Sequence, residues 1–158
     1  VLVTDDLFSY PVVAHDLELK RQVCRFHALR WMMLALKECE TVLGESWQDT
    51  IDEVRRIIRH LPDDGPHLLH LLWKRIVPPK GERSPEGDAV AKLRLLVLKM
   101  AENWQQYALF LSEPGVPTTN NATERAIGRW RNRSKTTRGF KSLSGLTAAF
   151  RICNGMVS

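Results

Sequence analysis

VLVTDD, residues 1–6, is the stretch that decides the fold class of this chain. Its first four residues are apolar or β-branched and lead directly into two aspartates, the pattern of a buried strand at its C-terminal end. Residues 22–26 fit either a second short strand or the start of the following helix. Because most of the remaining chain has helical spacing, we predict an α/β or α+β protein that is mostly α in this part.

Six helices are predicted from apolar residues that recur every three or four positions. They cover residues 26–43, 47–61, 67–77, 88–111 and 121–131, with a last helix from residue 143 onward. Ser46 and Asp88 are the predicted N-caps of the second and the fourth helix. Polar loops are predicted at residues 78–86 and 114–119, and a basic loop around Gly139. We expect most of the sheet to lie before residue 1.

The composition indicates a folded globular domain. Of the 158 residues, 44% are hydrophobic and 26% are charged, which is ordinary for globular proteins and argues against disorder of the whole chain. No apolar run approaches the ~20 residues that a membrane span needs, and the first residues lack the basic start of a signal peptide. The three cysteines have no framework spacing, so we expect reduced thiols in the cytoplasm.

Positive charge is concentrated at one end of the chain. All 18 Asp and Glu residues lie within residues 1–124, although the formal net charge of the whole chain is +5. After this point the charged residues are all cations: Arg125, Arg129, Arg131, Arg133, Lys135, Arg138, Lys141 and Arg151. A one-sided basic segment predicts binding to a polyanion, with nucleic acid as the first candidate. An anionic membrane surface is the second candidate, because the segment lacks the large apolar face that membrane binding needs.

Asp5 directly follows the predicted strand. A carboxylate at the C-terminal end of a strand is fixed by the sheet and left open by the loop, which suits a functional site. The structural alternative is that Asp5 and Asp6 begin a turn or cap a helix that starts near Leu7. The spacing alone favours this alternative.

Glu124 is the last acidic residue before the basic segment. Asn121, three residues earlier, predicts a capping box that would stabilise the helix by roughly 1 kcal/mol. This interpretation is favoured by the pattern alone. A glutamate in the first helical turn can also face a metal ion, and a carboxylate beside a phosphate-binding surface needs a divalent cation to avoid repulsion. The two roles are compatible.

Cys24-x-x-His27 has a spacing that could supply two zinc ligands. The other two would come from His67 and His70, or from Cys39. Structural zinc sites are usually marked by two tight ligand pairs that are often rich in cysteine. We therefore favour packing of Cys24 and His27 at a strand-to-helix junction, with His27 in a structural hydrogen bond.

Three blocks of the sequence resemble DDE transposases of bacterial insertion sequences. VLVTDDLFSY (residues 1–10) is similar to the strand that carries the family's second catalytic aspartate. QVCRFHALR (residues 22–30) resembles its C-x-x-H segment followed by H-x-x-R. TNNATERAIGRWRNRSKTTRGFKS (residues 119–142) is similar to the T-N-N-x-x-E-R block with its trailing G-F-x-S, and is the most specific of the three. The resemblance covers essentially the whole chain.

The resemblance implies a site with three metal-binding carboxylates. Asp5 matches the second and Glu124 the third; Asp6 stands where glycine is common, and we favour Asp5 over it as the ligand. The first aspartate is expected on an earlier strand, so residues 1–158 alone should bind DNA weakly without cutting it. The implied supporting residues are Asn121, Cys24 and His27, and the implied DNA-binding residues are Asn120, Arg125, Arg129, Arg131, Arg133, Lys135, Arg138 and Lys141.

The resemblance also implies a partial ribonuclease-H-like fold with few strands and a large inserted helical subdomain. Residues 1–30 would belong to the catalytic core, residues 31–115 to the helical insertion, and residues 116–158 to the C-terminal core helices. The implied cofactor is Mg²⁺ or Mn²⁺, with two ions in the intact site. The implied partners are transposon-end and target DNA and further copies of the chain in a homo-oligomer, without a membrane. We expect a cytoplasmic, nucleoid-associated bacterial protein.

Two other functions stay open. The chain could be a non-catalytic DNA-binding fragment in which the acidic residues are structural, or a helical interaction module whose charge is incidental. Metal-dependent cleavage of DNA separates the enzyme from the first alternative. Salt-dependent DNA binding separates the enzyme and the DNA-binding fragment from the helical interaction module.

Overall fold

The structure, a computed structural model, describes residues 1–5, 9–81, 83–136 and 142–153. The chain forms two compact units, which we call unit 1 (Val1–Thr118) and unit 2 (Thr119–Ser158).

The described part of unit 1 contains two short strands and six α-helices. In chain order these are β1 (Leu2–Thr4), α1 (Ser9–Asp16), β2 (Arg21–Val23), α2 (Arg25–Leu43), α3 (Gln48–His60), α4 (Gly65–Arg75), α5 (Pro85–Glu102) and α6 (Trp104–Ser112). A single 3-10 turn, Glu45–Trp47, lies between α2 and α3. Unit 2 contains α7 (Asn121–Thr136) and α8 (Leu143–Cys153), which pack against each other.

The two strands run parallel, with Leu2 opposite Arg21 and Thr4 opposite Val23. Parallel strands need a crossover connection, and α1 provides it. The pair is also tied to α6 by Gln22, whose side chain is fully buried. Its amide donates to the Tyr107 carbonyl at 3.3 Å and accepts from the Phe110 N–H at 3.0 Å. The strand predicted at residues 1–4 is confirmed, and residues 21–23 form the second strand.

The hydrophobic core of unit 1 lies between its long helices. α5 packs against both α2 and α4, and α2 also packs against α3. The buried apolar positions recur at helical spacing along each helix, which explains why these segments are helical. The largest fully buried side chains include Met32, Leu36, Ile51, Ile57, Ile58, Leu69, Leu72, Ile76, Leu93 and Met100.

Gly65 allows a close approach at the start of α4. A Cβ atom at this position would lie 2.1 Å from the nearest atom of the Trp104 ring, which is closer than a real carbon contact. The glycine therefore lets the first residue of α6 pack directly on the backbone of α4.

The prediction of one long helix over residues 88–111 is wrong in one respect. In the structure this segment is divided at Asn103 into α5 and α6. The Asn103 side-chain amide donates to the Lys99 carbonyl at 2.9 Å. Short polar side chains that bond nearby backbone in this way compete with the helical ladder. The break turns α6 toward the strands, where its backbone meets Gln22.

Both predicted N-caps in unit 1 are also wrong. Ser46 lies in the 3-10 turn and donates its hydroxyl to the Leu43 carbonyl, so it leaves α3 uncapped. The cap of α5 is Ser84 rather than Asp88, since the Ser84 hydroxyl accepts from the Gly87 N–H at 3.1 Å and proline occupies the first helical position. Asp88 instead pairs with Arg83. The helix α1 was not predicted.

The predicted mostly α character is confirmed, with two parallel strands in the described residues. The ribonuclease-H-like fold and the division at residues 30 and 115 stay predictions. The predicted basic loop around Gly139 lies outside the described residues.

Truncation of Leu36 to Ala should destabilise unit 1 strongly. Leu36 is 0% exposed in the core, whereas Leu34, two residues away on the same helix, is 54% exposed. Leu36→Ala should lower the free energy of unfolding by about 2–5 kcal/mol. Leu34→Ala should lower it by no more than about 0.5 kcal/mol. Urea denaturation measures both, and equal losses would contradict the described orientation of α2.

Candidate functional site

Asp5 lies at the edge where the two parallel strands end. β1 stops at Thr4, and the Cys24 N–H donates to the Thr4 carbonyl at 2.6 Å, which extends the pairing by one step beyond β2. Asp5 and Cys24 are therefore the first residues after their strands, at the same edge of the sheet. The C-terminal edge of a parallel sheet is where ligands bind in open α/β folds.

Arg21 fixes the backbone at this edge. Its guanidinium donates to the Thr4 hydroxyl at 3.2 Å, to the Asp5 carbonyl at 3.0 Å and to the Gln106 side-chain oxygen at 2.8 Å. Arg21 is buried, so these bonds are made away from water. The planar fork of an arginine can hold several acceptors at fixed angles. Arg21 therefore locks the end of β1 to α6 and determines where Asp5 leaves the sheet.

The Asp5 side chain meets a requirement of a metal ligand. Its Oδ1 atom is buried and has no hydrogen-bond partner among the described residues. A buried carboxylate oxygen without a partner is costly, and binding of a cation would satisfy it. Carboxylate oxygens are the protein ligands that Mg²⁺ prefers. The residue thus fits the expected cofactor, Mg²⁺ or Mn²⁺.

Cys24 and His27 lie beside this edge at the start of α2. Cys24 is fully buried, and its carbonyl accepts the first hydrogen bond of the helix, from Ala28, at 2.9 Å. His27 is half-buried and meets the Phe26 ring edge-on, with the ring centroids 5.4 Å apart. Both residues lie at the strand-to-helix junction, as predicted from the sequence.

The other proposed zinc ligands have different partners. Cys39 donates its thiol to the Ala89 carbonyl at 3.6 Å, and burial raises the pKa of this thiol, which favours the neutral form. His70 stacks on Trp73 with the ring centroids 5.5 Å apart. Within the described part of the chain, no three His, Cys, Asp or Glu residues are grouped to hold a metal ion. A metal bound by Asp5 would therefore need ligands beyond the described residues of unit 1.

In unit 2, Glu124 lies in the first turn of α7. The Glu124 N–H donates to the Asn120 carbonyl at 2.9 Å, which places Asn120 at the N-cap position and Asn121 inside the helix. The predicted cap at Asn121 is therefore wrong by one residue, and Glu124 lies one position beyond the one a capping box uses. The Glu124 side chain is exposed. The Asn120 side-chain oxygen is buried and has no hydrogen-bond partner among the described residues.

Arg125 and Arg129 are exposed on α7, one turn apart and close in sequence to Glu124. Ile127, an apolar residue of the same helix, is 54% exposed. The helix also contains Arg131, Arg133 and Lys135, whose side chains lie outside the described part, as do the whole residues Arg138 and Lys141. The structure thus shows two of the predicted DNA-binding arginines to be accessible.

The residues predicted from the sequence fall into two groups. Asp5, Cys24 and His27 belong to unit 1, whereas Asn120 and Glu124 belong to unit 2. The pairing of Asp5 with Glu124 stays a prediction. Arg21 and Gln22, which were not predicted from the sequence, hold the unit 1 residues in place. In the sequence they are marked only by being polar residues beside a short apolar run.

Replacement of Asp5 by Asn should stabilise the metal-free protein. The amide has nearly the shape of the carboxylate but carries no negative charge beside the buried Oδ1 position, which has no hydrogen-bond partner among the described residues. We expect the free energy of unfolding to rise by about 1 kcal/mol, measured in urea with a chelator present. Asp63→Asn, at an exposed turn position, is the matched control and should change it by less than about 0.5 kcal/mol. A loss of stability for Asp5→Asn would show that the carboxylate is satisfied without a metal.

Comparison with known protein families identifies the chain. The family model described as Transposase IS66 family matches residues 1–148, a range that includes both Asp5 and Glu124. The chain therefore belongs to the transposase IS66 family, and this membership implies a DNA-binding protein. Comparisons with curated proteins and with solved structures give no match. None of the helices in the described residues is both long enough and apolar enough to span a membrane.

Proposed function

We propose that this member of the transposase IS66 family forms part of the catalytic core of a DDE-type transposase. The intact enzyme would cleave phosphodiester bonds at transposon ends and join the freed DNA 3′-hydroxyl to target DNA. The observation that carries this proposal is the buried Oδ1 of Asp5, which lacks a partner among the described residues at the edge of a parallel strand pair. The family match supports it, because it covers Asp5 and Glu124 in one range.

In this proposal Asp5 and Glu124 hold divalent metal ions together with an aspartate from an earlier strand. Two Mg²⁺ or Mn²⁺ ions would activate the attacking water or 3′-hydroxyl and stabilise the leaving oxygen. Arg21 acts as a positioning residue, since it fixes the Asp5 carbonyl and thereby the direction of the side chain. Cys24 and His27 support the same edge through packing at the start of α2.

The arginines of α7 would hold the DNA next to Glu124. A carboxylate repels the phosphates on which it must act, so cations nearby are needed to bind the strand. Arg125 and Arg129 are exposed within two turns of Glu124, and the guanidinium group suits bidentate contact with phosphate. Arg131, Arg133, Lys135, Arg138 and Lys141 would continue this contact along the strand.

The DNA partners would be transposon ends and target DNA, bound by a homo-oligomer of the intact protein in the bacterial cytoplasm. The second candidate function, a DNA-binding fragment without catalysis, is favoured by the exposure of Arg125 and Arg129 alone. This second function gives the Oδ1 atom of Asp5 no role. The catalytic proposal explains why this buried oxygen has no partner among the described residues, because it would bind a metal ion.

Loss of either proposed metal ligand should abolish cleavage. In a protein that contains this chain and the strand expected to carry the first aspartate, Asp5→Asn or Glu124→Gln should lower the rate by about 10³-fold or more. A metal contribution of several kcal/mol corresponds to this factor. The measurement is cleavage of transposon-end DNA with Mg²⁺ or Mn²⁺.

Two exposed carboxylates, Asp63 and Glu102, provide the controls. Asp63→Asn and Glu102→Gln remove the same charge and should leave the rate unchanged within about twofold, which is less than 0.5 kcal/mol. Full activity of the Glu124→Gln enzyme would refute the catalytic assignment. A DNA-binding fragment without catalysis would show no metal-dependent cleavage in any variant.

The contribution of α7 to DNA binding should be visible in the salt dependence. Each phosphate contact contributes about 0.9 to the slope of log K against log salt concentration. Arg125→Gln combined with Arg129→Gln should therefore reduce the magnitude of the slope by about 2. Fluorescence anisotropy with a labelled duplex measures it. An unchanged slope would mean that these two arginines do not contact phosphate.

A further inference from the structure

A chain of hydrogen bonds leads from the break between α5 and α6 to the end of β1. At the break, the Asn103 side-chain amide donates to the Lys99 carbonyl at 2.9 Å. The Gln106 side-chain amide donates to the Asn103 side-chain oxygen at 3.2 Å. The Gln106 side-chain oxygen accepts from Arg21 at 2.8 Å, and Arg21 donates to the Asp5 carbonyl at 3.0 Å. We call Asn103 and Gln106 the amide pair.

These hydrogen bonds can run in one direction only. The Lys99 carbonyl at one end accepts without donating, and the Arg21 guanidinium at the other end donates without accepting. Each amide between them must therefore turn its NH₂ group toward α5 and its oxygen toward Arg21. Asn103 thus fixes which end of the Gln106 side chain faces the guanidinium. Without Asn103, the Gln106 amide would lose the bond that keeps its NH₂ group away from Arg21.

A cavity of about 560 Å³ lies beside the amide pair, and its lining includes Arg21, Trp104 and Gln106. Water that enters this cavity can bond to the Arg21 guanidinium nearly as well as a side chain does. Gln106 is therefore not needed to solvate the charge of Arg21. Water does not supply a fixed direction, whereas the Gln106 oxygen is held in place by α6 and by Asn103.

We propose that Gln106 and Asn103 are positioning residues for Asp5. Gln106 holds the Arg21 guanidinium at the angle at which it bonds the Asp5 carbonyl, and Asn103 holds Gln106. The break between α5 and α6 thereby has a role at the site, because the side chain that bonds back to α5 at the break also orients Gln106. The consequence for a metal ion rests on the proposed function, since it requires Asp5 to be a ligand. Residues that orient a metal ligand typically contribute about 10- to 100-fold in metal affinity or activity.

The first test measures the Asp5 carbonyl directly, in the 158-residue chain with a chelator and without DNA. Aspartate labelled with ¹³C at its carbonyl and ¹⁵N at its amide gives a coupled nuclear magnetic resonance signal only where one aspartate follows another. The chain contains two such pairs, residues 5–6 and residues 63–64. Asp63 also lines the cavity, so its carbonyl reports changes there that do not pass through Arg21.

Gln106→Leu should move the Asp5 carbonyl carbon to lower frequency and leave the Asp63 carbon in place. The physical reason is that a weaker hydrogen bond to a carbonyl oxygen shields its carbon. Gln105→Leu, at the exposed neighbouring position, is the matched control and should move neither signal. Circular dichroism checks that each variant is folded, and Gln106→Ala replaces Gln106→Leu if the leucine prevents folding.

Gln106→Glu tests the role of Asn103. A carboxylate has two equivalent oxygens, so it accepts from Arg21 without being oriented by Asn103. Asn103→Ala alone should move the Asp5 carbon in the same direction as Gln106→Leu does. Asn103→Ala combined with Gln106→Glu should return it to the parent position. An effect of Asn103 on helix stability alone would not be rescued in this way.

An Asp5 carbon that stays in place in Gln106→Leu, or that moves equally in Gln105→Leu, would overturn the role of Gln106. A signal that stays in place in Asn103→Ala, or that Gln106→Glu does not restore, would overturn the role of Asn103.

The second test measures cleavage of transposon-end DNA by the transposase that contains the first aspartate. Gln106→Leu should lower kcat about 10- to 100-fold with the affinity for DNA unchanged, because the proposed role of Gln106 is to orient Asp5. Gln105→Leu should leave kcat unchanged within about twofold. An unchanged kcat for Gln106→Leu in an enzyme that Asp5→Asn inactivates would overturn the positioning role. Full activity of the Asp5→Asn enzyme would instead refute the proposed function and leave the carbonyl measurement standing, since that measurement involves neither metal nor DNA.

Discussion

Hydrogen bonds from two buried polar side chains, Arg21 and Gln22, connect the short strands to α6, and the geometry at Asp5 depends on them. Two strands of three residues each bury too little surface to be stable alone. Arg21 and Gln22 satisfy their polar groups on Thr4, Asp5 and the backbone or side chains of α6. Because an unmade buried hydrogen bond is costly, these contacts fix the strand ends in one position. The helical core of unit 1 thereby determines where the Asp5 carboxylate is placed.

The periodic parts of the fold could be predicted from the sequence. α2 was predicted to within one residue at its start, because Met32, Leu36 and similar positions repeat with the helical period. The break at Asn103 and the cap at Ser84 could not be predicted as readily, because each depends on one side-chain hydrogen bond. Neighbouring residues have similar propensities to break or cap a helix. The helix α1 was missed although two parallel strands require a crossover between them.

The candidate site was predictable only in part. Asp5 stands out because it ends a strand, and Glu124 because it precedes a basic segment. Arg21 gave no such signal, since an arginine at the start of a short strand looks like any exposed cation. Only the three-dimensional structure shows that its guanidinium bonds the Asp5 carbonyl and the Gln106 side chain. That the Oδ1 of Asp5 has no hydrogen-bond partner among the described residues is likewise visible only in the folded chain.

A single electrostatic problem links the catalytic and DNA-binding proposals. A site built from carboxylates repels DNA unless cations are present, either as metal ions between the carboxylates and the phosphates or as arginines around them. Asp5 retains a buried oxygen that would suit the first solution, at a cost in stability. The exposed arginines on α7, Arg125 and Arg129, suit the second. We therefore expect Asp5 to lower the free energy of unfolding because it is kept for function. The arginines are exposed and should lower it little.

Localised cleavage by iron tests directly whether Asp5 and Glu124 bind the same metal ions. Fe²⁺ can replace Mg²⁺ at carboxylate sites, and with ascorbate and peroxide it cuts the protein backbone next to where it is bound. In the transposase that contains the first aspartate, we predict two sets of cuts, near residue 5 and near residue 124. Excess Mg²⁺ should suppress both, and so should Asp5→Asn alone. Cuts near only one of these residues, or cuts near residue 124 that persist in Asp5→Asn, would contradict a shared metal site.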